Sequence, residues 1–390
     1  MKNNFNFKID YNSFCKDVGK KNKKRVKKVD ILFSTSLITA AICFVFTVLT
    51  RYFSNIAEFY SLYIYPVFAS FFSFIFSFSS SSIGCWIVFF LPLIILSLLI
   101  YFFILIIKKK EKKKIVINGL KIFSIILSII YISFTLLCGI NYNRIPFSQN
   151  TPYKLSTYSK EDLINTTKAV TENLNIYAQK VKRDDNNIMV LSNSLEETSQ
   201  MANEYISNLE GDYNVIKNYY SYPKKVFFSK ALSYLNITGI YFPFTVEANF
   251  NSDIVKYQLP VTMCHEKAHQ IGFMPEQEAN FIAYLACINS QNDDFIYSAN
   301  MLAFVYLSNA VFKEDENLYF EIKSSLNENV IKDFVENNNY WKNFETPISE
   351  ISENVNNTYL KANNQTQGIK SYGMVCDLLI AKYKYDNAIK

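Results

Sequence analysis

The chain contains only two histidines, and they stand four residues apart in His265-Glu266-Lys267-Ala268-His269. On a helix, positions i and i+4 share a face. Both imidazoles can therefore reach one Zn2+ at about 2.0–2.1 Å, with Glu266 beside them to take a proton from a water at the metal. Two histidines dropped at random into a chain of this length would give HExxH roughly once in 4,000 trials, well below the usual false-positive rate of short motifs. The bland alternative, two surface histidines on a helix, is disfavoured accordingly.

A catalytic zinc usually takes three protein ligands and keeps one position open, so a third ligand is expected downstream. Glu276 and Glu278 are the candidates, in Gly272-Phe273-Met274-Pro275-Glu276-Gln277-Glu278-Ala279-Asn280. Gly272 and Pro275 predict a tight break between the motif helix and a new one, because Gly accepts a positive φ and Pro suits a first helical turn. At 3.6 residues per turn the two glutamates point about 200° apart, so at most one faces the metal. Cys264 lies about 100° off the ligand face and reads as a small core residue. No third histidine is available to stabilise an oxyanion, which leaves Tyr372 and Tyr241 as candidate donors.

The elements that position these groups are mostly helical. Ser159-Lys160-Glu161-Asp162 resembles a helix start and opens a helix to about 181; a second is expected at about 195–208. Lys225–Ser229 and Gly239–Phe250 are rich in Val, Phe and Tyr and read as strands, the latter with an edge on which a peptide can pair as an added strand. Beyond the motif, helices are expected at about 275–288, 294–312, 346–364 and 369–384. Phe295–Phe312 carries no charge, but Ser298, Asn300, Ser308 and Asn309 interrupt it and acidic residues flank it, so it reads as a buried core helix and not a membrane span.

Composition excludes a single soluble domain. The chain is 50% hydrophobic over 390 residues, and residues 1–140 hold 18 Lys/Arg against 5 Asp/Glu, whereas the remainder is acidic. The positive charge sits in two clusters, Lys16–Lys28 and Lys108–Lys114, beside apolar runs and not on a folded basic face, which excludes nucleic-acid binding. Apolar runs at about 30–50, 84–107 and 115–139 are long enough to cross about 30 Å of hydrocarbon. If both basic clusters are cytoplasmic, an even number of spans separates them. The run Phe59–Phe78 is therefore read as an external interfacial or re-entrant segment. The expected organisation is a basic cytoplasmic tail (1–28), a membrane domain (29–140) and an extracytoplasmic domain (141–390) in a multi-pass protein of the bacterial cell membrane with a cytoplasmic N-terminus. Three outer cysteines, Cys264, Cys287 and Cys376, show no disulfide framework and are expected to be buried thiols.

Glu276-x-x-Ala279-Asn280 resembles the E-x-x-A-[DN] signature on the second helix of gluzincin metallopeptidases. That resemblance implies Glu276 as third ligand, with Glu278 as the alternative, and Asn280 in the place of a residue that orients a ligating histidine. A wider resemblance rests on the three spans, Gly139–Pro146, Thr238–Phe244, Cys264–Gln270, Glu276–Phe281 and Ser371-Tyr372-Gly373. Together these look like the bacterial membrane family called domain of unknown function 3810, whose members are regarded as zinc metallopeptidases without an assigned substrate. The resemblance implies an α+β fold, with three N-terminal transmembrane helices followed by a mostly helical, zincin-like (gluzincin-type) domain with a small sheet. One departure is Val246-Glu247, where a Gly is expected before the Glu.

The reading that follows is a membrane-anchored zinc metalloendopeptidase acting on peptide bonds outside the cytoplasm, with Zn2+ as cofactor, Glu266 as general base, and the lipid bilayer and a peptide or protein substrate as partners. The alternatives are a zinc-clamped membrane sensor or scaffold, against which the intact Glu266 argues, and a hydrolase of a non-peptide cell-wall amide.

Overall fold

In the computed structural model the described residues are 11–108, 111–217, 221–363 and 374–388, with side chains from residue 28 onward. The helices in chain order are α1 (Tyr11–Tyr52), α2 (Ser54–Phe59), α3 (Tyr65–Phe76), α4 (Ile83–Lys108), α5 (Lys112–Leu137), α6 (Lys160–Tyr177) and α7 (Leu195–Asn208). After strand β1 (Lys224–Lys225) come α8 (Ser229–Tyr234), β2 (Gly239–Phe242), β3 (Glu247–Phe250), α9 (Leu259–Gln270), α10 (Glu276–Ile288) and α11 (Asp293–Glu314). The C-terminal part adds α12 (Glu316–Ser324), α13 (Glu328–Lys342), α14 (Pro347–Ala362) and α15 (Met374–Ala388).

The chain forms two compact units, Met1–Val48 with Phe90–Thr135, and Leu49–Phe89 with Leu136–Lys390. The first unit is built from α1, α4 and α5. Its apolar side chains are largely exposed, including Leu96, Leu98 and Tyr101 on α4 and Leu120 and Phe123 on α5, the pattern of helices surrounded by hydrocarbon. Gly119 admits the ring of Phe102, which a Cβ there would meet at 2.6 Å.

Five helices among the described residues are long and apolar enough to cross a membrane: Lys28–Tyr52, Ser54–Phe76, Ile83–Lys108, Lys112–Leu137 and Asp293–Glu314. Two of them differ from the other three. Asp293–Glu314 is mostly buried within the second unit, where Phe295, Tyr297, Phe304 and Leu307 form its core side. Ser54–Phe76, which takes in most of the run Phe59–Phe78 expected as an interfacial or re-entrant segment, is one helical rod with a π-helical turn at Tyr60–Ile64.

Residues 49–89 belong to the same compact unit as residues 136–390, because Ala57, Glu58, Tyr60, Ser61, Tyr65 and Ala69 are buried on one side of the Ser54–Phe76 rod. Apolarity alone conceals this, since Phe71 and Phe74 on the other side are exposed.

Local sequence explains where α6, α7, α11 and α14 start in the second unit. Ser159 with Asp162, and Ser194 with Glu197, form reciprocal capping boxes at the starts of α6 and α7. Asn292 accepts from Asp294 N and Phe295 N to open α11, and Thr346 caps α14 with Pro347 in its first turn. α6 ends at Tyr177, earlier than the expected 181, and α12 and α13 occupy a region with no sequence expectation.

The sheet has the order β1-β3-β2, with β1 parallel and β2 antiparallel to β3. The stretch Gly239–Phe250, read as one strand, is a hairpin that turns over Pro243–Val246, and the Lys225–Ser229 strand is shortened to Lys224–Lys225. At the end of the hairpin turn Val246 is fully buried with φ +53°. This left-handed conformation is costly for a β-branched residue and natural for glycine, which is the physical reason for a Gly in that place.

Candidate metal centre

α9 carries the motif through the middle of the second unit, packed against α7, α10, α11 and β3. Every residue of α9 except His265 is buried. Polar groups in such a helix need partners inside the protein. Lys267 donates from Nζ to Ser221 O at 2.7 Å and to Gln270 Oε1 at 2.8 Å, and burial pushes its amine down to about 7. Gln270 Nε2 donates to Ser221 Oγ and to Val246 O, both at 2.6 Å. The strained Val246 backbone thus aims its carbonyl at the end of the motif helix.

α9 ends at Gln270, and Gly272, with φ +94°, reverses the chain. α10 then starts at Glu276 after Pro275 and returns alongside α9. His265, His269 and Glu276 converge, each offering one ligand atom, with these atoms within 4.8 Å of one another. Glu276 Oε2 lies 3.3 Å from His265 Nε2, and Glu276 Oε1 lies 3.7 Å from His269 Nε2. The three side chains keep 10–18% exposure, so the cluster is open to solvent on one side.

His269 Nδ1 lies 2.8 Å from Phe273 O. A proton on Nδ1 donated to that carbonyl leaves the Nε2 lone pair directed at Glu276, as ligation requires. Burial, together with the charge of His265, pushes His269 down to about 4, so it stays neutral at ordinary pH. Burial acts against the charge on Glu276, but the His265 hydrogen bond and the two imidazoles outweigh it and hold the carboxyl below its usual range. Two neutral-capable imidazoles and one carboxylate in this arrangement fit the donor set of a catalytic zinc site.

Glu266 is buried against Gly239, within electrostatic reach of His265 and Glu276. Burial first, and the charge of Glu276 second, push its carboxyl up to about 8, while His265 and the Tyr241 backbone N–H act in the opposite sense. Its Oε2 is buried without a hydrogen-bond partner among the described residues. Gly239, at the start of β2, makes this position accessible, since a Cβ there would sit 2.5 Å from Glu266 Oε1.

Glu278 is turned away, as the helical angle requires of one of the pair. It is buried and accepts from Phe147 N at 3.0 Å, and burial lifts its carboxyl to about 7. Asn280 lies beside His265 and acts on its charge, while its Nδ2 donates to Tyr306 Oη at 3.2 Å. Tyr241 places its hydroxyl 3.0 Å from Tyr65 Oη and 3.1 Å from Leu137 O, and contributes its backbone N–H to Glu266 instead. Tyr372, with Ser371 and Gly373, lies outside the described residues. Cys264 faces Cys287, Sγ to Sγ 3.6 Å, as a buried thiol within the core.

Sequence reasoning missed three other tyrosines. Tyr142, Tyr306 and Tyr359 each lie within electrostatic reach of Glu276, and Tyr142 and Tyr359 are joined through their hydroxyls at 3.2 Å. Burial, the main cause, raises all three above the usual phenol range, so they stay protonated donors. With 28 tyrosines in the chain, residue type alone could not find them; only Tyr142, inside Asn141-Tyr142-Asn143-Arg144, stood in a segment already marked.

Residues 60–380 match the family profile described as "Protein of unknown function (DUF3810)". No curated protein and no solved structure matches the chain.

Proposed function

The chain belongs to the DUF3810 family, and from that premise we propose that it is a membrane-anchored, gluzincin-like zinc metallopeptidase that hydrolyses peptide bonds on the extracytoplasmic side. The observation that carries this reading is the convergence of His265, His269 and Glu276 beside a buried Glu266 with an unpartnered oxygen. A structural zinc clamp has no need of that carboxylate.

Zinc, when bound by His265, His269 and Glu276, supplies a Lewis acid that polarises the scissile carbonyl and lowers the pKa of a coordinated water to about 7. The cation's charge would favour the ionised form of Glu266, whose carboxylate takes the proton of the attacking water and returns it to the leaving amine. Of the three protonated hydroxyls near Glu276, Tyr142 gives its proton to Tyr359 Oη, and Tyr306 and Tyr359 are the candidate donors to the developing oxyanion. β2 is an edge strand of the sheet, and an extended peptide adding to it would run past Gly239, where no side chain separates it from Glu266.

Parity supports the orientation. With Ser54–Phe76 left out of the count, two spans separate the basic clusters and both lie inside; counting it would put Lys108–Lys114 outside, against the positive-inside rule.

The test is elemental analysis and cleavage of a fluorogenic peptide mixture by the full chain in detergent. Wild type is expected to hold about one zinc per chain, lost in His265→Ala and Glu276→Ala, while Glu266→Gln keeps the metal and loses cleavage. Zinc retained by Glu276→Ala would remove Glu276 from the ligand set. Loaded wild type that cleaves nothing would favour the sensor or scaffold.

A further inference from the structure

Glu58 is a buried carboxylate within an apolar rod, a costly position unless it is fully paired. Its partner is Arg144, 86 residues away. Arg144 Nε and Nη2 donate to the two Glu58 oxygens at 3.0 and 2.8 Å, and Ile145 N adds a third donor at 3.1 Å. The fork geometry leaves Nη1 free to turn elsewhere. It donates to Gly272 O at 3.4 Å, and the guanidinium plane lies over the Phe273 ring, 3.9 Å from its centroid.

Gly272 and Phe273 form the turn that ends the motif helix, and the Phe273 carbonyl is the group that faces His269 Nδ1. Other groups from the same two segments close around this turn. Asn141, whose Oδ1 accepts from Ser61 Oγ at 2.8 Å, and Tyr65 both come within 3.4 Å of the place a Cβ on Gly272 would occupy. Tyr65 Oη also donates to Gln270 O at 2.8 Å.

We propose that Arg144, aimed by Glu58, is a positioning residue for the metal centre: by gripping Gly272 O and the Phe273 ring it fixes the Phe273 carbonyl that orients His269. The apolar segment containing α2 is thereby part of the peptidase body. This rests on the zinc reading above. It goes beyond it by assigning the orientation of a ligand to an ion pair that touches neither metal nor substrate.

Removing one member of a buried pair leaves an uncompensated charge and can unfold the protein. The test therefore uses Arg144→Lys, which keeps the charge but not the planar fork, and the double variant Glu58→Gln/Arg144→Met, which removes both charges. Each is made in the full chain and titrated with Co2+ and Zn2+, with helix content and thermal unfolding followed without metal. The expected result is near-wild-type helix content, a 10- to 100-fold loss of metal affinity, the usual range for lost outer partners of a ligand, and an altered visible Co2+ spectrum. Wild-type affinity and spectrum in folded variants would overturn the proposal. So would metal loss that merely parallels loss of helix content in both, since Arg144 would then serve the fold as a whole. Wild type that binds neither ion would instead defeat the zinc reading itself.

Discussion

His269 Nδ1 lies 2.8 Å from the carbonyl oxygen of Phe273, four residues on and one residue past a glycine at φ +94°. The contact joins the direction of a ligand's lone pair to the conformation of a turn. It ties the orientation of His269, in the candidate metal centre, to the groups that hold that turn, which include Arg144 and Tyr65.

Gly272→Ala tests the turn directly. The added Cβ would find its nearest neighbours at 3.4–3.5 Å, so crowding is slight and the cost is backbone strain. A loss of about 1–2 kcal/mol in unfolding free energy is expected, together with weaker Zn2+ binding in a competition titration. Unchanged affinity at reduced stability would disconnect the turn from His269.

At Gly239 the obstacle is a side chain. A Cβ there falls 2.5–2.8 Å from three Glu266 atoms, so Gly239→Ala must push the carboxylate aside. Peptide cleavage should fall by about 100-fold or more, the scale of general-base catalysis, while zinc content stays at the wild-type level. Full activity in this variant would separate Glu266 from the reaction.

The raised Glu266 carboxyl, at about 8, carries a pH signature in the metal-free protein. Its folded-state value exceeds that of the unfolded chain, about 4.3, so between the two the folded state binds more protons and stability falls as pH rises. His269 and Lys267, both pushed down, act in the opposite direction over their own ranges. The readable quantity is therefore the difference between wild type and Glu266→Gln under chelator. Denaturant unfolding should show wild type losing ground to the variant from about pH 5 to 8, by at most about 1.4 kcal/mol per pH unit. A flat difference would mean that the carboxyl is not buried as described.

A fragment beginning at residue 145 lacks Glu58, Tyr65 and Arg144, as well as the backbone of Ile83 and Gly84 that donates to buried Glu247 at 3.1 and 2.7 Å. Glu247 would keep Lys224 and Thr245 as partners, but two of its donors would be gone. Zinc binding and cooperative unfolding are expected in the full chain and not in that fragment. A fragment that binds zinc as tightly as the full chain would show that α2 and α3 are dispensable to the site.

Much of this arrangement is local and so was readable from the chain. An i, i+4 histidine pair shares a helix face whatever surrounds it, Gly272 and Pro275 carry their own turn and helix-start chemistry, and Ser159 and Ser194 cap their helices with residues three positions on. Helical angle also required that Glu276 and Glu278 diverge. It could not choose between them, because both sit in the first turn of α10 and the choice depends on which face packs against α9.

The tertiary structure decides that choice through distant partners: the two imidazoles meet Glu276, while Phe147 N, 131 residues before Glu278, occupies the other carboxylate. The same holds for Glu58 and Arg144, paired across 86 residues, and for the three tyrosines around Glu276, a common residue type here that only burial and convergence single out. Hydrophobic pattern reports whether a segment leaves water, and a lipid-facing side and a protein-facing side do this equally well. The Ser54–Phe76 rod therefore read as a membrane-surface segment, although its buried side, with Glu58 and Tyr65, is built into the body that holds the cluster.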